Sequence, residues 1–126
     1  MITGVHVLFF SADPDADRAF FRDVLQFPAI DIGHGWLIFG LPPGEAAVHP
    51  ADGDADTVKE QRITTQVYLM CDDVRGVIAT LASRGVACAA VHEERWGLRT
   101  SITLPSGAGL GLYQPTHPTA LDLRPK

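Results

Sequence analysis

Residues 64–85, TTQVYLMCDDVRGVIATLASRG, change from one hydrophobic period to another within a few positions. From Val67 to Cys71 apolar side chains alternate at period two, the pattern of a half-buried strand. Beyond them Val74, Val77, Ile78, Leu81 and Ala82 recur at spacings of three and four, which is one face of a helix. Asp72 or Asp73 between the two patterns is the natural N-cap, because a carboxylate accepts from unpaired amides and suits the positive helix end. Gly85 ends the helix as a residue free to take positive φ.

The same unit is written earlier, in residues 3–27, TGVHVLFFSADPDADRAFFRDVLQF. A strand through Val5, Val7 and Phe9 meets Asp13, and Pro14 stands at the favoured first helical position. Phe20, Phe21, Val24 and Leu25 form the buried stripe of that helix. Overlaying the copies sets His6 opposite Gln66 and Ser11 opposite Cys71. After each helix come short β-like runs: Ala29–Ile32, Trp36–Phe39 and Ala46–His49 in the first half, Val86–Val91, Thr100–Leu104 and Leu110–Tyr113 in the second. Each half also holds a Leu-Pro-x-Gly turn, at 41–44 and 104–107. The chain therefore reads as an α+β fold of two βαβββ units. Residues 1–50 form the first unit, 51–63 a polar linker, 64–115 the second unit and 116–126 an extended, proline-containing tail.

At 126 residues the chain is one domain, residues 1–126, able to bury a real core that its two halves share. A formal charge of −5, with ten scattered Lys and Arg, argues against nucleic acid, which rewards clustered cations. No apolar run approaches the length of a membrane span. Met1-Ile2-Thr3-Gly4 lacks the charged start and apolar core of a signal peptide, so the expected location is cytoplasmic. Cys71 and Cys88 form no disulfide framework and read as reduced packing residues.

Strand one is apolar on both faces, with His6, Leu8 and Phe10 on one and Val5, Val7 and Phe9 on the other, which predicts a central strand. Asp31 to Trp36 reads as a hairpin turn with an exposed His34 at its tip. His92 to Gly97 is a charged, hairpin-like loop ending in an aromatic. In the second half Gln66, Tyr68 and Met70 share a face, with Val67, Leu69 and Cys71 opposite.

This arrangement resembles the vicinal oxygen chelate superfamily, which includes glyoxalase I, extradiol dioxygenases and bleomycin-resistance proteins. The run 18–27, RAFFRDVLQF, is similar to the family's helix-one motif, which usually ends Leu-Gly-Phe, with Gln26 in place of that glycine. The run 67–74, VYLMCDDV, is similar to its strand-five entry into helix two, and Leu104-Pro105-Ser106-Gly107 stands where the family has an Asp-Pro-Asp-Gly turn. The resemblance implies a cupped, eight-stranded mixed sheet with helices on the outer face and a pocket inside.

In metal-using members the first and last strands of each unit hold a divalent ion. Carried over by position, that set is His6, His49 and Gln66, although the register of the Ala46–His49 run could bring Val48 inward instead. The fourth position, a glutamate in the family, is Gly111 here. Without that carboxylate a hard cation lacks anionic compensation, and the metal site reads as degenerate. Glu45, beside the Pro-Pro-Gly turn, is the one nearby acid of the first half. No cofactor is expected, with a Zn, Fe or Mn ion as the alternative.

The inward faces implied by this fold carry His6, Leu8, Phe10, Tyr68, Met70, Gly111 and Tyr113, with Trp36 or Trp96 at the rim. Aromatic walls with a few polar groups and a glycine gap describe a small-molecule site. The expected partners are a small-molecule ligand or substrate and a second copy of the chain in a homodimer, with neither nucleic acid nor membrane. No residue is assigned a catalytic role. The alternative is a metal-dependent lyase or dioxygenase acting on vicinal oxygens through His6 and His49.

Overall fold

In the computed structural model, which describes residues 5–49 and 65–123, two aspartates open the two helices. Asp13 caps α1 (Pro14–Asp23), accepting from the Ala16 N–H at 3.3 Å. Asp73 caps α2 (Val74–Ser83), accepting from the Gly76 N–H at 3.1 Å. A side chain from the sheet assists, since Gln114 Oε1 accepts from the Val74 N–H at 3.0 Å and satisfies another first-turn donor. Both helices are followed by a left-handed residue, Gln26 at φ 61° and Gly85 at φ 78°. The next residue of each donates its N–H back into the helix, Phe27 to the Phe21 carbonyl at 3.0 Å and Val86 to Leu81 at 2.9 Å. Gly85 accepts that conformation freely, whereas Gln26 holds it against its own Cβ.

In the first half β1 (Ala29–Asp31) pairs antiparallel with β2 (Leu37–Phe39). Asp31 closes the turn between them by accepting from the Gly33 and Gly35 N–H groups at 2.8 and 3.2 Å. In the second half β3 (Tyr68–Met70), β4 (His92–Glu94), β5 (Gly97–Thr103) and β6 (Gly109–Pro115) form a sheet in the order β3-β6-β5-β4. The β3–β6 pair is parallel and the others are antiparallel, so the sheet is mixed.

The core lies on one face of this sheet. Ile102, Leu104, Leu110 and Leu112 pack with Val74 and Leu81 of α2 and with Phe20 and Phe21 of α1. Leu69, Val67 and Cys71 join its margin, the face expected from the period-two pattern. Phe9, Phe27 and Phe39 surround Phe21 edge-on, with centroids 5.3, 5.8 and 5.5 Å away. Asp17 ties the halves together. Its carboxylate, almost fully buried, accepts from the Ser11 hydroxyl at 2.7 Å and from the Ser106 N–H at 3.0 Å. Burial alone raises such an acid, but the bonds from Ser11 and Ser106 outweigh it, and the Asp17 carboxyl lies below its ordinary range.

The α+β class is as expected, and the described residues carry six strands of it. The departures have local causes. Val5–Phe10, expected as a central strand, makes no ladder, and Val5 and Phe10 are about nine-tenths exposed, at 91% and 92%. Alternation specifies which faces a strand can bury but supplies no neighbour for its edges, and none of the described residues pairs there. Ala46–His49 is likewise unpaired. Val86–Val91 shrinks to one bridge, Cys88 to Ile102, because Thr100 Oγ1 takes the Ala89 carbonyl at 2.6 Å in place of a continued ladder. His92–Glu94, read as loop, is an edge strand, a place that tolerates charge. The linker 51–63 and the last three tail residues lie outside the described residues. Among the described residues no helix is long and apolar enough to cross a membrane.

Candidate functional site

Opposite the core, the sheet presents aromatic side chains. Register sets Tyr68 beside Gly111 and Met70 beside Tyr113, so these four alternate with the core-facing leucines. The tight β4–β5 hairpin adds Trp96. Gly97 permits that hairpin, because any Cβ there, at φ 154°, would run into the Gln114 carbonyl. Three rings then meet edge to face. Tyr68 to Trp96 is 5.7 Å, Tyr68 to Tyr113 is 5.6 Å and Trp96 to Tyr113 is 5.0 Å between centroids. Tyr113 is buried at the base of the cluster, Tyr68 and Trp96 are half-buried, and rings packed edge to face have faces and edges of complementary charge that suit flat or cationic groups. The Tyr68 ring covers Gly111, and a side chain at 111 would collide with it.

One carboxylate enters this cluster. Glu45, whose side chain is 17% exposed, accepts from the Tyr113 hydroxyl at 3.4 Å and from the Ala120 N–H at 2.6 Å. His117 lies flat on Tyr113, with centroids 6.2 Å apart and planes 29° from parallel, and its Nε2 is 3.4 Å from the Tyr113 hydroxyl. Burial, then the Glu45 charge and the hydrogen bond to it, push the Tyr113 phenol above its ordinary value. It is therefore a proton-holding donor at neutral pH. Arg99 is the cation beside Tyr113 in the β5–β6 register, and Glu94 already matches it at 2.9 Å.

Four of the residues proposed for a pocket, Tyr68, Trp96, Gly111 and Tyr113, are thus together, with Met70 on the same face. The other four lie apart. His6, Leu8 and Phe10 are exposed in the unpaired N-terminal run, and Trp36 stacks under the Arg18 guanidinium at 4.6 Å. Glu45 and His117 complete the cluster. The sequence marks Glu45 only as an acid near a turn, and His117 sits in a proline-rich tail whose direction no periodicity encodes. That tail, expected to run extended, bends back over the cluster because Glu45 holds the Ala120 N–H.

The described residues do not fit the divalent ion that the family resemblance implies. His6, His49 and Gln66 are exposed, the Tyr68 ring occupies the space before Gly111, and no three His, Cys, Asp or Glu of the described residues group as ligands. The thiols offer no nucleophile either, since burial pushes both Cys71 and Cys88 up and keeps them protonated. Two shallow depressions lie elsewhere. One of about 370 Å³ is lined by Pro28, Ile30, Ile38 and Phe39, and one of about 440 Å³ by Val24, Asp73, Val77 and Arg84. Neither gathers convergent polar groups around an aromatic wall.

The model of the Glyoxalase/Bleomycin resistance protein/Dioxygenase superfamily matches residues 4–111 of the chain. Among solved structures, TnmS3, an antibiotic binding protein from Streptomyces sp. CB03234, is 23% identical with a TM-score of 0.58, covering 92% of this chain and 100% of its own. Lactoylglutathione lyase from Agrobacterium tumefaciens is 17% identical with a TM-score of 0.59, covering 89% and 92%. A glyoxylase/bleomycin resistance protein/dioxygenase domain from Frankia sp. EAN1pec is 15% identical with a TM-score of 0.59, covering 96% and 98%. At these identities the likeness is one of fold. No curated protein matches the chain.

Proposed function

The chain belongs to the Glyoxalase/Bleomycin resistance protein/Dioxygenase superfamily, and from there we propose that it binds a small planar ligand, without a metal, on its aromatic sheet face. The observation that carries this is the Tyr68–Trp96–Tyr113 cluster with a single carboxylate, Glu45, at its edge. Covering about 150 Å² of a planar compound contributes roughly 4 kcal/mol, about millimolar affinity before any polar contact is added. That one structural relative is described as an antibiotic binding protein is in keeping with this reading. The alternative, a metal-dependent lyase or dioxygenase working through His6 and His49, is less favoured by two exposed histidines that share no ligand group.

The test is emission of Trp96 in a Trp36→Phe protein, titrated with a panel of planar aromatic compounds. The expected result is a saturable change for at least one compound that Tyr68→Ala removes. A panel that leaves emission unchanged throughout overturns the proposal.

A homodimer goes with this reading. Val5, Leu8, Phe10 and Val48 are exposed among the described residues, and the Val5–Phe10 backbone is free of ladder bonds. A second copy supplying a strand there would bury apolar side chains and satisfy the edge together. Light scattering is expected to give twice the 13.6 kDa chain mass, and a monomer at high concentration would refute it. A cytoplasmic setting is consistent with two free thiols in the described chain.

A further inference from the structure

Contacts of Thr116, His117 and Ala120 fold the C-terminal segment over the aromatic cluster. The Thr116 N–H donates to the Trp96 carbonyl at 3.0 Å, and its hydroxyl to the Arg95 carbonyl at 3.4 Å. The His117 ring then stacks on Tyr113, and the Ala120 N–H reaches Glu45 Oε2 at 2.6 Å. The segment lies on the surface of the cluster and outside the core: Thr116, Pro118 and Thr119 are exposed, and the His117 side chain is 35% exposed. Pro115 and Pro118 flank the histidine without a backbone donor to anchor it.

Hydrogen accounting shows what this place suits. His117 Nδ1 is 2.8 Å from the Pro118 carbonyl, which only accepts, so Nδ1 carries a proton. The Tyr113 hydroxyl has one proton for two claimants, His117 Nε2 and Glu45 Oε1, each at 3.4 Å. The phenol donates to Glu45 Oε1, and the His117 ring, stacked on Tyr113, holds its Nε2 3.9 Å from the same carboxylate. The nearby Arg99 does not compete, being paired with Glu94 at 2.9 Å. Aromatic faces on one side and one carboxylate on the other are complementary to a flat cation with N–H groups.

We propose that residues 116–123 form a displaceable strap in which His117 occupies the seat of a planar organic cation, an amidinium, guanidinium or N-heterocyclic cation, which this face binds in its place. The inference rests on the aromatic face being the ligand site and adds to it a ligand class and an internal competitor. Because the strap and the ligand exclude one another, apparent affinity is the intrinsic affinity scaled by the fraction of molecules with the strap open.

The experiment titrates the full-length Trp36→Phe protein with benzamidine and with neutral, isosteric benzamide, following Trp96 emission and the exchange protection of the Ala120 amide. Benzamidine is expected to bind at least about tenfold more tightly than benzamide and to release the Ala120 amide. His117→Ala is expected to bind benzamidine about tenfold more tightly than its parent. Glu45→Gln is expected to lose the preference for the cation, a change that a merely structural role for Glu45 would not produce. Equal binding of the two probes overturns the cation class while leaving the aromatic site standing. Unchanged affinity in His117→Ala, with Ala120 still protected in the complex, overturns the strap. Binding of neither probe to either protein overturns the inference together with the reading beneath it.

Discussion

Gly111 stands in the interior of β6, where alanine in place of glycine normally gains about 0.5–1 kcal/mol by stiffening the unfolded chain. Here the added methyl meets the Tyr68 ring, which must move. Moving it loosens two edge-to-face pairs, to Trp96 at 5.7 Å and to Tyr113 at 5.6 Å. Each such pair is worth about 0.5–1.5 kcal/mol, and overpacking of this kind costs about 1–3 kcal/mol in all. Set against the backbone gain, Gly111→Ala is expected to destabilise by about 1–2 kcal/mol. In a Tyr68→Ala background the obstacle is absent, and the same substitution is expected to stabilise by about 0.5–1 kcal/mol. Urea unfolding of the four proteins gives the coupling directly as a double-mutant cycle, expected near 2 kcal/mol. Gly111→Ala that leaves the Tyr68-containing protein as stable as before, or more so, would refute the packing described here.

Gln26→Gly should stabilise by about 1 kcal/mol in urea unfolding, since glycine takes φ 61° without the Cβ penalty. Asp17→Ala removes the acceptor for Ser11 and for the Ser106 N–H and should cost roughly 1–3 kcal/mol. The folded carboxyl titrates below its unfolded value, so its contribution is fully present above about pH 4 and fades as pH falls through the folded value. Unfolding midpoints of the two proteins should therefore differ constantly near neutrality and converge only in acid. In a Tyr68→Phe protein, where Tyr113 is the remaining tyrosine, ultraviolet titration should place the phenol above about 10, and Glu45→Gln should bring it back down.

What the chain announces about itself is mostly local. Asp13-Pro14 and Asp73 fix where the helices begin because capping and proline geometry act within a few residues. The alternation at Val67–Cys71 sets Tyr68 and Met70 opposite Val67, Leu69 and Cys71, which lie at the core margin, whereas the placing of Gly111 and Tyr113 on the Tyr68 face is implied by the family resemblance and depends on the β3–β6 register. Strand pairing is not local, and there the patterns reach less far. Val5–Phe10 has the alternation of a strand with no described neighbour, whereas charged His92–Glu94 is a strand because β5 lies beside it. Glycine at 111 signals free space in a strand but not what fills it; the filler is the ring of Tyr68 from the adjoining strand. Glu45 and His117 join the cluster across 68 and 4 residues of chain from Tyr113, and the tail's fold-back depends on one carboxylate finding one backbone amide.

Metal-free recognition on the aromatic face is tested most directly by calorimetric titration of chelator-treated protein with a compound found to change Trp96 emission. The account predicts the same affinity before and after chelation, one compound per chain, and loss of the heat signal in Tyr68→Ala. Binding that vanishes on chelation and returns with Zn, Mn or Fe would contradict it and would make the metal-dependent chemistry of His6 and His49 the better description.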